Sequence, residues 1–398
     1  MAVLNAWSND LDLTLAHDWD TIGGTISIAA SAARNGAGGI LIAGLNGRAV
    51  KNITNAVTLF FGFAMNVQST GSGTEQICAF LDGGTIQVDF RLDTSGHLIA
   101  TRNGTVLGTS SSSITFGVWH YIETKVTIDP TTGVAEIKVD GTFFLQLSGQ
   151  NTRASANSFA GAVQIGGQQA AAGWTKWHDD LYLLDASGAA NNTYLGDSIV
   201  KGLLPQSNGT TNQFAATAAA WSANTVMSLD QQIVDSNGNI QRVTAITSDF
   251  KTGGSTPAWA STTVGQTTTD NHVTWTLVAK TPLANWMYVD EPSPDDDQSY
   301  VFDATLNDVE RYLMATLTAA SIFAVGVKAR ASKDNAGPRS FRFQCKSGAT
   351  TSNTASDIAL SQTVYGNYQA FFETDPNTAV AWTQSGVNAA EFGVKLTV

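Results

Sequence analysis

Apolar and polar side chains alternate most cleanly between Trp119 and Gly149, where the chain reads WHYIETKVTIDPTTGVAEIKVDGTFFLQLSG. Ile122, Val126 and Ile128 fall on one face; Glu123, Lys125 and Thr127 fall on the other. Asp129–Gly133 supplies a short hairpin loop, after which Ala135, Ile137 and Val139 alternate with Glu136, Lys138 and Asp140. Asp140-Gly141 is a turn pair, and Phe143 and Phe144 open a third strand. A period of two predicts antiparallel strands with one buried and one wet face.

The same signal recurs along the chain at a spacing of roughly 8–12 residues, with Gly, Asn and Asp between the runs, which is the pattern of a sandwich. Thr85–Leu92 places Ile86, Val88, Phe90 and Leu92 on one face, and Leu98–Leu107 reads as a hairpin around Asn103-Gly104. Val163–Gly167 and Asp180–Asp185 are shorter strands, and a first domain closes at residue 205. Residues 206–222 read as a connection, 223–281 as a small Trp- and Thr-rich inserted β-module, and 282–398 as a second β-sandwich. Its clearest strands are Ile322–Arg330, Ser340–Lys346, Tyr368–Glu373 and Phe392–Val398. Only Asn307–Met314 allows a helical turn or two. The predicted class is all-β.

Composition narrows the setting. The chain has 398 residues, 43% of them apolar, enough for sizeable cores. Only 14% are charged, against about 25% in an average soluble protein, so Thr, Ser, Asn, Gln, Gly and Ala must cover the surface. Such faces suit life outside the cytosol or contact with other subunits. The net charge of −12 and the absence of a basic run disfavour a nucleic-acid partner. The two cysteines, Cys78 and Cys345, are too few for a disulfide framework and predict buried free thiols. MAVLNAWSNDLDL lacks the charged and apolar regions of a secretory signal, and no apolar run reaches the roughly 18 residues of a membrane span. Manufacture in a host cytoplasm and release by lysis satisfies both expectations.

From Phe116 to Asp185 the residues resemble a concanavalin A-like (laminin-G-like) jelly roll found in bacteriophage virion proteins. The likeness is carried by Gly117-Val118-Trp119-His120-Tyr121-Ile122-Glu123, Val139-Asp140-Gly141, Ser148–Thr152, Val163–Gly166 and Asp179-Asp180-Leu181-Tyr182. Leu195-Gly196-Asp197 and Leu203-Leu204-Pro205 fit its exit. Asn285–Pro292, Asp297–Val301, Asp375–Ala379, Ala381-Trp382-Thr383 and Glu391–Lys395 resemble a segment that follows this jelly roll in phage proteins. The intervening G-x-S-x-P-x-W and D-x-x-V-x-W elements resemble small modules of phage tail and baseplate proteins. The resemblance implies a virion protein of the tail or capsid exterior with a carbohydrate-binding role, and other virion proteins as partners.

The chemistry legible in the residues is sparse. The E-x-D-x-x-E strand motif of laminarinase-type jelly rolls is missing: Lys138 follows Glu136 by two, and Ser293 follows Glu291. The five histidines, His17, His97, His120, His178 and His272, show no zinc spacing, and no serine sits in a G-x-S-x-G elbow. Two clusters invite a binding reading. Asp290, Glu291, Asp295, Asp296 and Asp297 offer oxygen ligands for Ca²⁺, although their spacing matches no EF-hand loop, and a solvated acidic loop is the plainer alternative. Trp174, Trp177 and Asp179 on the sandwich, with Trp259 and Trp275 in the insert, could stack on and bond to glycan. Core packing is the competing role of these large rings. The expectation drawn is a non-enzymatic phage structural protein, a tail-associated or fibre-like appendage that binds host glycan, forming a homo-oligomer with a trimer as first choice. The alternatives are a capsid decoration or head-fibre protein and an appendage enzyme acting on cell-surface polysaccharide.

Overall fold

The computed structural model describes the chain apart from residues 1, 9, 10, 13, 168–172 and 362–363. The chain is all-β and divides into two compact units, Met1–Gly202 and Leu203–Val398.

The first unit is a sandwich of an eight-stranded and a seven-stranded antiparallel sheet. The eight-stranded sheet runs in the order Thr142–Gln150, Gly133–Val139, Trp119–Thr127, Thr58–Ser69, Thr175–Asp185, Gly39–Ala43, Ile26–Ala29, with Val3–Trp7 also on Thr175–Asp185. The facing sheet runs Thr105–Ser113, His97–Arg102, Thr85–Leu92, Glu75–Asp82, Ala160–Gly166, Arg48–Ala56, Thr21–Gly23. Hairpin neighbours such as Gly133–Val139 and Thr142–Gln150 alternate with strands distant in sequence, such as Thr58–Ser69 beside Thr175–Asp185, so the jelly-roll order rests on non-local pairing at the centre of each sheet. Phe61, Phe63, Met65, Ile122, Ile137, Leu181 and Leu183 from one sheet meet Ile77, Phe80, Val88, Phe90 and Ile165 from the other in one dry core. Alternation then places the odd residues of Trp119–Lys125 and the even residues of Phe60–Asn66 on the outer face of the eight-stranded sheet.

Two local expectations need correction. Ile86 does not share a face with Val88, Phe90 and Leu92. The register slips between Phe80↔Val88 and Leu81↔Ile86, and Ile86 packs outside the main core with Ala79, Leu81, Ala162 and Val50. The slip turns Gln87 inward over the loop 154–159, where its amide takes N–H groups from Ala154 and Ser155 and donates to Ser155 Oγ and the Asn157 and Phe159 carbonyls. Val309–Met314, allowed above as helix, is a central strand between Pro205–Asn212 and Glu391–Leu396. Sheet pairing on both edges outweighs the weak helical tendency of Val-Glu-Arg-Tyr-Leu-Met.

The second unit is built on a six-stranded sheet, Pro205–Asn212, Val309–Met314, Glu391–Leu396, Ser340–Ser347, Thr350–Asn353, with Ile358–Ala359 on Ser340–Ser347. The ribbon of Val325–Ala331 and Gly366–Phe372 faces it across Phe341, Phe343, Cys345, Phe372, Trp382 and Phe392. A four-stranded sheet, Gln232–Val234, Ile240–Ile246, Val273–Ala279, Thr267–Asp270, has its own small core of Met227, Ile233, Val243, Val273 and Trp275. Both cysteines are free and buried.

Candidate functional site

The outer face of the eight-stranded sheet gathers the chemistry-bearing side chains of the first unit. Register fixes their rows. Trp119 and Trp177 lie on either side of Asn66, Tyr121 and Asp179 on either side of Ala64, and Glu123 and Tyr182 on either side of Gly62. The neighbouring strand adds Lys138 beside Glu123 and Glu136 beside Lys125.

Trp119 and Trp177 are half-buried, with ring centroids 6.3 Å apart and planes at 41°, and the Gln68 amide donates to Asn66 Oδ1 at 2.7 Å between the two strands. Two partly open indoles on either side of the buried Asn66 can take the apolar C–H face of a sugar.

Further along the same face, Tyr182 Oη donates to Glu123 Oε1 at 2.5 Å. Tyr121 stacks on Tyr182 at 6.3 Å and donates to the Asp180 carbonyl. Burial first, and then the Glu123 carboxylate, push the Tyr182 phenol well above its ordinary range; burial and Asp180 do the same to Tyr121. Asp180 is raised to about 6, by burial and then by the charge of Asp179. It sits at φ 53, a left-handed position at the bulge that separates Asp179 from Tyr182 in the register. Gly62 makes room for this cluster, because a methyl there would stand 2.2 Å from Tyr182 Cε1.

Residues 188–200 form a strap over this part of the face. The Gly196 N–H donates to Glu123 Oε1 at 2.8 Å, Leu195 N–H to Tyr182 Oη at 3.2 Å, and Val200 N–H to Asp180 Oδ1 at 3.0 Å. Tyr194 donates to Glu136 Oε2 at 2.9 Å, lies edge-on to Phe60, and has Lys138 Nζ 4.1 Å above its ring. Arg34 ties Asp197 of the strap at 2.7 Å, and Asn35 donates to Asp180. The strap leaves Tyr121, Glu123, Asp180 and Tyr182 almost without solvent contact, while Trp119 and Trp177 stay partly open.

The predicted glycan residues therefore separate. Trp174 and Trp275 are fully buried core residues and cannot present a ring to a ligand, which corrects the expectation for both. Asp179 is buried and accepts the backbone N–H groups of Arg34 and Asn35 at 2.8 and 3.1 Å, so it anchors a loop. Trp177 remains on the outer face, and Trp259 is half-buried at the margin of the insert core, edge-on to Trp275 at 5.8 Å. Sequence reasoning missed Trp119, Asn66 and Tyr182. The alternation that puts Trp119 on the face of Glu123 was the available signal; that Asn66 and Trp177 stand beside it depends on strand order.

The acidic run does not converge either. Asp290 takes Arg242 at 2.6 Å and the Gln232 amide, Asp295 takes the N–H groups of Gln232 and Ser299, Asp296 pairs with Arg330, and Asp297 accepts from Tyr365. Glu291 keeps one buried oxygen without a partner, and burial followed by the Asp295 charge pushes its carboxyl well up. Among the described residues no group of three or more His, Cys, Asp or Glu is arranged to hold a metal ion. The Ca²⁺ expectation for Asp290, Glu291, Asp295, Asp296 and Asp297 is corrected accordingly, because most of these acids already serve protein donors.

No protein-family model matches the chain, and no curated protein matches it. Solved structures do. A Trypanosoma rangeli sialidase in complex with 2,3-difluorosialic acid is 14% identical at TM-score 0.31, covering 40% of this chain and 27% of that one. An alginate lyase, Aly36B, is 15% identical at TM-score 0.31, covering 46% of this chain and 96% of that one. The chain thus spans about a quarter of the sialidase it matches. These proteins are named as enzymes, and the expectation of a non-enzymatic structural protein is corrected on that finding. Likeness at this level assigns no activity to the present chain.

Proposed function

We propose that this chain is a phage appendage protein that acts on a cell-surface polysaccharide, holding it on the outer face of the eight-stranded sheet. The observation that carries the reading is the Trp119–Asn66–Trp177 row, two partly open indoles on either side of a buried asparagine. Proton chemistry is assigned to the Tyr182–Glu123 pair, two rows further along the same face. General acid–base chemistry needs a donor and an acceptor within hydrogen-bond reach, and here the protonated phenol donates a hydrogen bond to the carboxylate, leaving the phenol as the acid and the carboxylate as the base. Because the strap covers the pair, turnover requires residues 188–200 to lift. The phage setting rests on the residue resemblance alone.

The test is incubation of the purified chain with a panel of capsular and lipopolysaccharide glycans, reading retention by affinity electrophoresis and cleavage by new reducing ends and by absorbance of unsaturated products. Trp177→Ala is expected to weaken retention about tenfold, a loss of roughly 1.4 kcal/mol. Glu123→Gln should retain binding and abolish cleavage, since the amide oxygen still accepts from Tyr182 but takes up no proton. Retention unchanged in Trp177→Ala would remove the sheet face as the site.

A further inference from the structure

The inserted four-stranded sheet carries a concavity, independent of the sandwich face. Residues 259–267 lead into the edge strand Thr267–Asp270 and border an open groove of about 580 Å³. Its side chains come from Trp259, Ser261, Thr262, Gln266 and Thr267, and no ionisable group lines it. The groove wall is held in place from behind. Gln266 Oε1 accepts from Thr262 Oγ1 at 2.6 Å and from Thr263 N–H at 3.0 Å. The Gly265 N–H reaches the Leu277 carbonyl, the Leu277 N–H returns to the Gln266 carbonyl, and Lys280 Nζ clamps the Thr262 carbonyl at 2.9 Å. Lys280 is exposed and holds the Thr262 carbonyl with one of its three donors. The Gln266 carboxamide is fixed by its oxygen, which leaves its exposed N–H₂ as a pre-oriented donor. Trp259, backed by Trp275, supplies the one aromatic surface.

We infer that this groove is a binding site for a neutral hexose unit of a glycan. An indole accepts the C–H face of the sugar, while a carboxamide donor and Thr and Ser hydroxyls meet its hydroxyl groups. The lining side chains themselves carry no charge, Lys280 standing only at the margin on the Thr262 carbonyl, and the chain's net charge of −12 repels a polyanion at longer range. The inference needs neither catalysis nor any residue of the first unit.

The experiment uses the full chain in native gels containing dextran, mannan or a mixed-linkage β-glucan, with alginate as the acidic comparison. At least one neutral polysaccharide is expected to retard the chain, and alginate is not. Gln266→Glu preserves the oxygen that holds the loop but replaces the donor with a charge; it should weaken retention about tenfold. Trp259→Ala should do the same, and Gln266→Glu guards against loss of folding in that variant, since Trp259 also packs on Trp275. Repeating both changes on Trp177→Ala separates this site from the sandwich face. If Trp177→Ala alone abolishes retention and Gln266→Glu leaves it intact, the groove is no site, as it is if no neutral polysaccharide retards the chain. Loss confined to Gln266→Glu and Trp259→Ala establishes the groove whatever becomes of the sandwich reading.

Discussion

Two residues of the sandwich show how tightly single positions are constrained. Gly62 lies under the Tyr182 ring, where an added methyl meets Cε1 at 2.2 Å and Cζ at 2.4 Å. Neither the strand backbone nor a ring bonded to Glu123 can yield cheaply, so Gly62→Ala should cost about 1–3 kcal/mol, measurable in urea unfolding. His178 is enclosed between the sheets beside Phe63, with both ring nitrogens buried and unpartnered. Burial, and then the charge of Lys176, hold it well below its ordinary 6.5. The unfolded chain therefore takes up a proton near pH 6.5 that the folded chain refuses, and stability falls as the pH drops below that value. His178→Leu should stabilise the chain by about 1–2 kcal/mol by removing an unsatisfied polar group. The gain should widen between pH 6.5 and 5, which thermal melts across that range would show.

At the scale of elements, the strap formed by residues 188–200 is tied to a carboxyl that responds to pH, Asp180. Asp180 is protonated more readily in the folded chain, its value raised from 3.8 to about 6. A carboxyl shifted upward contributes stability that is full below pH 3.8 and lost as the pH rises through about 6. Asp180→Asn keeps an acceptor for the Val200 N–H and tolerates the left-handed backbone at φ 53. The variant should flatten the dependence of stability between pH 4 and 6, and should slow hydrogen exchange of the Val200 amide at pH 7 relative to the parent. Strands were the most legible elements. The alternation in Trp119–Thr127 and Gly133–Val139 appears in the structure with Ile122↔Val139 and Val126↔Ala135 as partners. The strand at Val309–Met314 was not legible, because its pairing with residues from 205 and from 391 supplies what its own pattern lacks.

For the whole molecule, each compact unit holds its own core, one around Phe61, Phe63, Phe80 and Phe90 and the other around Phe341, Phe343, Trp382 and Phe392. Fragments 1–202 and 203–398 are expected to express as separately folded proteins, each with a cooperative thermal transition by circular dichroism. A fragment that melts without cooperativity would show that its core depends on the other. The candidate sheet-face site requires only the first fragment, so retention on glycan should survive in residues 1–202.

The sequence by itself determined the class of structure, the hairpins at Asn103-Gly104 and Asp140-Gly141, and the buried character of the two cysteines. These follow from local periodicity, turn chemistry and residue polarity, which act over a few positions. It also narrowed the aromatic candidates to a handful without separating core from surface. Tertiary structure decided that separation: Trp174 and Trp275 point into dry interiors, while Trp177 meets Trp119 across Asn66. It likewise scattered the acids of 290–297 among separate donors and drew Tyr182, Glu123 and Asp180 under one strap. The physical reason is common to all of these. Strand order in a jelly roll joins segments more than a hundred residues apart, and the face or partner of a side chain is fixed by that order.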